Sequence, residues 1–416
     1  MKKFMYSIGK KAVLAFNNKI NPKLKNKVLK DYIELIKKNK KLIIKKNNKD
    51  IRIAENKKLQ KNLIDRLSIN TKKINNMCIA INNIIKIKDP INVTLNKWKR
   101  PNKLIIKKVS IPLGVIGVIF ESRPNVASDI ACLCFKSGNP VILRGGSEAL
   151  NSNKILVYLF RKALKKNKID SNYVQLINKN GRNYVNFMLS NMSKYIDLII
   201  PRGGKGLVAK VQKLSKIPTI GHLEGICHTY IDKDADLNMS IKVVHNAKLR
   251  NTSICGATET ILIHKKVLKK FSNPILNKLA ISNCKIIGDK KLKKYYKGKI
   301  YLAKEKDWST EYLNATVSVK CVVSLEDAIN HINKYGTMHT DSIITKNKKT
   351  ANKFLKNVKS SIAIHNSSTQ FADGGEFGFG GEVGISTNKL PPRGPVGLGQ
   401  LISYKYEILG KGQIRK

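Results

Sequence analysis

Acidic residues are scarce in this chain of 416 residues: 27 Asp and Glu stand against 80 Lys and Arg, a formal net charge of +53. Aromatics are few as well, at 6%, which offers little for stacking single-stranded bases. Paired cysteines are missing. The seven cysteines, Cys78, Cys132, Cys134, Cys227, Cys255, Cys284 and Cys321, are odd in number and scattered without the spacing of a disulfide framework, so a reducing compartment is expected. Cys132 and Cys134 fall two apart on a predicted helix, facing different sides, and none of the seven histidines stands at metal-ligand spacing from them. No metal is expected. Nothing approaches the roughly 18 consecutive apolar residues of a membrane span. Residues 1–17 mix lysines with Phe4, Ile8, Val13 and Leu14 in helical rhythm, without the unbroken apolar centre of a secretory signal. A soluble, cytoplasmic chain without a membrane partner is therefore expected. No internal repeat is visible.

What is present suffices for a large core and two or three domains, since 42% of the residues are hydrophobic. The positive charge would ordinarily suggest a nucleic-acid or anionic-membrane partner. Its distribution argues otherwise. Lysines run from Lys2 to Lys416 rather than massing in one arm, and they travel with an excess of Asn and Ile. Those three residue types share A/T-rich codons, so compositional drift is a sufficient cause and no nucleic-acid partner is expected. A basic nucleic-acid-binding protein is the alternative from a different class. The charge should cost stability at low salt and help gather anionic ligands.

Residues 1–97 carry apolar residues at three- and four-residue spacing (Leu29, Tyr32, Ile33, Ile36; Leu63, Leu67) and read as a helical layer. Within 101–111, Leu104–Ile106 and Val109–Ile111 read as a short extended pair around two lysines, a projecting ribbon. From Pro112 strand-like and helical runs alternate, as at Val115–Phe120, Val126–Lys136, Val141–Leu143 and Glu148–Lys165, which means a mostly parallel, doubly wound sheet. In that class the ligand crevice lies at the carboxyl ends of the strands. A second α/β series starts near Thr258 and runs to His365. The expected organisation is a cofactor-binding domain at 1–100 and 112–225, a catalytic α/β domain at 226–385, and oligomerisation and tail elements at 101–111 and 386–416. Glycines crowd Gly374–Gly384 and Gly394–Gly399, and long Gly-rich loops inside a domain are usually functional.

Cys255 lies among small residues in Asn251-Thr252-Ser253-Ile254-Cys255-Gly256-Ala257, after a predicted helix and at the mouth of a predicted strand. That is where a covalent nucleophile belongs. Cysteine can displace a leaving group to form a thioester and can then leave in turn. Cys227, beside His228, precedes a strand-like run and reads as packing. Arg144-Gly145-Gly146-Ser147 follows a short strand and leads into a helix whose backbone amides can meet a phosphate.

Several segments carry a resemblance: Pro112–Val126 (PLGVIGVIFESRPNV), Lys136–Ala149 (KSGNPVILRGGSEA), Pro201-Arg202-Gly203-Gly204, the Cys255 segment, Asp373–Gly380 and Arg393–Leu398. Together, and in this order, they resemble the gamma-glutamyl phosphate reductase family, also called glutamate-5-semialdehyde dehydrogenases, a branch of the aldehyde dehydrogenase superfamily. The resemblance runs from about Arg100 to Arg415 and is weak in the first hundred residues. It implies an aldehyde-dehydrogenase-like α/β fold with a small oligomerisation ribbon. It makes Cys255 the nucleophile and places Arg123 where related enzymes carry an asparagine that holds the developing oxyanion, an arginine's fork also suiting phosphate. Glu121, Ser122 and Asn125 would shape that loop for substrate. Arg144, Gly145, Gly146 and Ser147 would grip the adenosine ribose, the positive charge suiting a 2′-phosphate and hence NADPH/NADP+. Pro201, Arg202, Gly203 and Gly204 would let the cofactor approach, and Glu311 would hold the nicotinamide ribose. No G-x-G-x-x-G is present, and the superfamily does not use one.

His222 falls where hydrolytic relatives carry a water-activating glutamate, with Glu224 two residues on. Losing that base suits an enzyme whose thioester must react with phosphate and not water; a shift of one or two residues would restore Glu224. Glu376, Phe379 and the polar run Asn366–Thr369 would meet the substrate's amino-acid end. The implied activity is NADPH-dependent reduction of L-glutamyl 5-phosphate to L-glutamate 5-semialdehyde, the second step of proline biosynthesis, with glutamate kinase as pathway neighbour and a homodimer or homotetramer as the assembly. An aldehyde dehydrogenase making a free acid or a CoA thioester is the alternative within the superfamily.

Overall fold

Parallel strands covered on both faces read as nearly continuous apolar runs, and Ile116–Phe120 and Val141–Leu143 do so here. The computed structural model describes residues 1–121 and 123–415, with the backbone alone at Asn62. The chain forms two compact units, one of Met1–Gly221, Gly378–Gly384 and Val396–Lys416, the other of His222–Phe377 and Ile385–Pro395.

The first unit opens with five helices: α1 Lys2–Phe16, α2 Pro22–Lys38, α3 Lys40–Asn56, α4 Lys61–Leu67 and α5 Thr71–Lys86. Strands β1 Thr94–Lys99 and β2 Ile105–Pro112 follow. Then come β3 Ile116–Phe120, α6 Asn125–Lys136, β4 Val141–Gly145, α7 Leu150–Lys166, β5 Val174–Leu176, α8 Arg182–Asn191, β6 Leu198–Arg202 and α9 Lys205–Leu214. The four strands are parallel in the order β5-β4-β3-β6, and Thr219 bridges Ile199 at the β6 edge. One core cluster joins Leu29 and Tyr32 of α2, Ile81 of α5, Leu133 of α6 and Phe160 of α7 to Val118 and Leu143. A separate cluster joins Met5 of α1, Met188 of α8 and Val211 of α9 to Ile119, Ile142 and Ile199. Alternate strand residues thus serve opposite faces, as a doubly wound sheet requires.

In the second unit the chain runs β7 Cys227–Ile231, α10 Leu237–Leu249, β8 Thr258–His264, α11 Lys265–Ile281, β9 Lys285–Gly288, β10 Tyr301–Leu302 and β11 Thr316–Val322. It continues through α12 Leu325–Tyr335, β12 Thr340–Ile344, α13 Lys348–Asn357 and β13 Ile362–His365. These seven strands form one parallel sheet, β10-β9-β11-β8-β7-β12-β13. The pair β14 Ile385–Ser386 and β15 Gly394–Pro395 is antiparallel. The expected α/β architecture, with a doubly wound sheet in one unit and a second parallel sheet in the other, is what the chain adopts.

The ribbon is built differently from the expectation. Residues 105–112 are one strand, and the partners of β2 are β1 on one side and β16 Ile402–Leu409 on the other, both antiparallel. Lys107-Lys108 is no turn; both residues pair on either side, with Lys97 and Asn96 of β1 and with Glu407 and Tyr406 of β16. The reversal comes earlier, at Pro101–Lys103, where Lys103 takes φ +67° and its N–H bonds Arg100 O at 2.9 Å. Residues 94–97, expected in the helical layer, are therefore strand.

Candidate active site

Cys255 sits in the turn between α10 and β8, and it is the one half-exposed thiol among seven, the other six being buried. Its backbone is tightly held. A Cβ at Gly225 would come within 2.6 Å of the Cys255 Cα, so the two loops touch backbone to backbone. Cys227 Sγ donates to the Cys255 carbonyl at 3.1 Å. Burial pushes the Cys227 thiol well up, so it stays protonated and serves as that donor. Cys227 is thus packing, as its strand-like setting suggests.

Below the turn, Thr258 Oγ1 lies 2.7 Å from Thr229 Oγ1 and 3.0 Å from Thr369 Oγ1. Gln370 bonds Ala247 O at 2.9 Å and Arg250 Nε at 3.0 Å, tying the end of α10 to the same loop. Four residues after the cysteine, Glu259 is fully buried and paired with Lys248 of α10. Burial raises its pKa to about 7, against the lowering effect of Lys248. A buried pair of this kind specifies position more than it adds stability.

Glu311 accepts the Gly225 N–H at 2.9 Å, so it lies beside the cysteine turn. His222 Nδ1 lies 2.8 Å from the Ile385 carbonyl, and its ring packs edge-on against His339 with centroids 4.9 Å apart. One ring nitrogen each of His222 and His339 and the Cys255 sulfur all lie within 4.8 Å of one another. Sequence reading missed His339, which has no local motif. His222, Cys255, Glu311 and His339 precede β7, β8, β11 and β12, four neighbouring parallel strands, so they gather at amino ends and not at carboxyl ends.

Other residues predicted to contact substrate also bond within the protein. Asn366 bonds the Thr345 backbone through both side-chain atoms, Ser367 O accepts from Ser342, and Thr369 is buried on Thr258. Strand ends consume this polar run. Glu376 is exposed, its N–H turned to Asp373, and belongs to the second unit. Phe379 belongs to the first, where it packs on Gly397.

In the first unit the predicted residues do lie at carboxyl ends. Glu121, just past β3, accepts the Gly204 N–H at 2.9 Å and covers Gly203, which joins it to the predicted cofactor loop. Arg123 is half-buried ahead of α6, and Asn125 donates to Asp129 at 3.0 Å. Ser122 lies outside the described residues. Arg202 pairs with Glu382 at 3.3 Å. Pro201 closes β6 against Gly221.

Two expectations for the Arg144–Ser147 turn change. Arg144 is 7% exposed, and its guanidinium is directed at the Gly145 and Gly181 carbonyls. The first amides of α7 are already taken by a buried protein anion: Asp50 accepts Asn151 N at 3.1 Å and Ser152 N at 2.8 Å. The helix after Ser147 is therefore capped from α3. By contrast α9 opens at Gly204 without a side-chain cap, and a Cβ at Gly206 would meet nothing within 4 Å. The helix start is open at Gly206, whereas Glu121 stands against Gly203 and Gly204; an open helix start fits the close approach of a dinucleotide's phosphates.

One unit carries a half-exposed thiol ahead of a buried parallel strand and the other a doubly wound sheet with an uncapped helix start, features that point to the dehydrogenase class. The aldehyde dehydrogenase family model matches residues 7–296, and the chain belongs to that family. Within it the chain is 45% identical to the gamma-glutamyl phosphate reductase of Parvibaculum lavamentivorans over 85% of its own length and 83% of that protein's. It is 43% identical to that of Brucella suis biovar 1 over 94% and 93%. The crystal structure of the Thermotoga maritima gamma-glutamyl phosphate reductase superposes with a TM-score of 0.96 at 38% identity, covering 99% of this chain and 100% of that one. Family membership brings a nicotinamide cofactor with it. Among the described residues no helix is long and apolar enough to cross a membrane.

Proposed function

We propose that the chain is a cytoplasmic enzyme reducing L-glutamyl 5-phosphate to L-glutamate 5-semialdehyde and inorganic phosphate, a step of proline biosynthesis. The observation that carries this is the half-exposed Cys255 turn in a chain 43–45% identical to named gamma-glutamyl phosphate reductases. The Cys255 thiolate attacks the acyl carbon, the C–S bond forms, and the acyl C–O bond breaks with loss of phosphate. NADPH, when bound, supplies the hydride that takes the acyl group to the aldehyde level. Cys255 then leaves as thiolate and the carbonyl re-forms. Arg123 is assigned to the oxyanion and the departing phosphate on its charge and fork geometry. Gly203, Gly204 and Glu121, with α9, would hold the dinucleotide. NADPH over NADH rests on the charge at Arg144, although that guanidinium reaches a 2′-phosphate only by giving up its backbone carbonyls.

His222 in place of an acid removes the water-activating carboxylate from that one position, which suits acyl exchange with phosphate. The test is NADP+ reduction with glutamate semialdehyde, with and without inorganic phosphate. Strict phosphate dependence is expected; equal rates with water or CoA would overturn the assignment. The β1-β2-β16 sheet exposes Trp98, Tyr404, Tyr406 and Ile408. An exposed apolar patch of this kind marks an association surface, and we assign it to a homodimer or homotetramer.

A further inference from the structure

We propose that His222, Cys255 and His339 form a zinc-binding site that reversibly blocks the thiol. The three side chains are brought together by sheet order and not by any local motif, and their ligand atoms lie within 4.8 Å of one another. Two imidazoles and a thiolate are a ligand set that borderline-soft Zn2+ prefers over Mg2+ or Ca2+. A tetrahedral ion would draw such atoms to about 3.4–3.6 Å apart, which asks for rotamer shifts of the order of an ångström.

Each histidine is already held as a metal ligand would be. His222 Nδ1 meets the Ile385 carbonyl at 2.8 Å, the backbone partner that orients a ligating imidazole and leaves the lone pair on the other nitrogen. His339 is fully buried. Its Nδ1 is engaged by Thr340 Oγ1 at 2.9 Å and Cys227 Sγ at 3.5 Å, while its Nε2 is buried with no hydrogen-bond partner. A buried, unpartnered ring nitrogen is costly unless something polar or a metal ion reaches it. Cys227 is excluded as a ligand, because its Sγ is turned to the Cys255 carbonyl, to which it donates at 3.1 Å. The site therefore has three protein ligands and an open fourth position, and it binds the Cys255 sulfur electron pair that attack on an acyl carbon needs. Binding of the ion does not depend on the catalytic reading; the block does.

The experiment is native-state alkylation of metal-free enzyme by iodoacetamide, read by peptide mass spectrometry, with and without Zn2+. Six of the seven cysteines are buried, so the reaction reports Cys255. Zn2+ should slow its alkylation at least tenfold, and EDTA should restore it. In His339→Gln or His222→Gln, checked for folding by circular dichroism, protection at the same Zn2+ concentration should fall at least tenfold while the rate without Zn2+ stays within threefold. Unchanged alkylation with Zn2+ present, or full protection in both variants, would overturn the site. Protection by Zn2+ with reductase turnover intact would uphold the site and overturn the block, and would count against Cys255 as nucleophile. The phosphate-dependence assay, which contains no Zn2+, tests the proposed reaction separately.

Discussion

At Gly225 one hydrogen stands where any other residue would place a carbon against the Cys255 backbone. Backbone cannot swing aside as a side chain can, so Gly225→Ala should displace the cysteine turn. A loss of about 10²-fold in kcat/KM is expected, since misplacement by an ångström costs about that much. Steady-state kinetics beside a thermal melt separates this from global unfolding. Cys255→Ser should lose at least about 10³-fold while keeping its fold, and unchanged turnover there removes the nucleophile. His222→Glu puts an acid at the position assigned above to the water-activating glutamate of hydrolytic enzymes. It should create NADP+ reduction that no longer needs phosphate, seen by repeating the semialdehyde assay in phosphate-free buffer.

Among elements, the α3–α7 contact and the α12–β11 contact carry the clearest expectations. Asp50 of α3 accepts two amides of α7 as well as the Ser152 hydroxyl at 2.7 Å. Asp50→Ala strands these donors in the core and should cost about 2–4 kcal/mol in urea unfolding. On α12, His331 is buried among Trp308, His228 and Tyr335 and lies 3.0 Å from Lys320 Nζ of β11. Burial, then the neighbouring His228, Lys320 and Lys334, depress its pKa to about 2. A depressed folded-state pKa gives stability that is present above the unfolded value near 6.5 and lost as pH falls toward 2. Between pH 7 and 5 this one group should remove about 2 kcal/mol, and His331→Gln should flatten that slope in denaturant titrations. Element limits were largely legible: β3 and α6 fall where the periodicity puts them. The ribbon was not, because β2 finds one partner some three hundred residues away, a pairing no local pattern encodes.

For the whole molecule, a charge of +53 means mutual repulsion that salt screens. The melting temperature should rise by a few degrees when ionic strength is raised from low to physiological, measured by differential scanning fluorimetry. A protein insensitive to salt would show that its lysines sit far enough apart to be screened already. Tyr406→Asp on the exposed three-stranded sheet should shift the assembly toward monomer in light scattering, with the unfolding midpoint lowered if association contributes to stability.

The amino-acid order by itself determined the class of fold, because burial on both faces forces apolar strand runs and helices between them, and it pointed to Cys255, because a thiol among small residues ahead of a strand is a local pattern. Arg144 and Ser147 marked a turn by the same logic. What local pattern could not show was occupancy: Asp50 reaches α7 from a hundred residues upstream. Nor could it show which strands adjoin. Only the order β11-β8-β7-β12 brings Glu311, Cys255, His222 and His339 to one edge, since neighbouring parallel strands place their amino ends side by side whatever the distance between them in sequence.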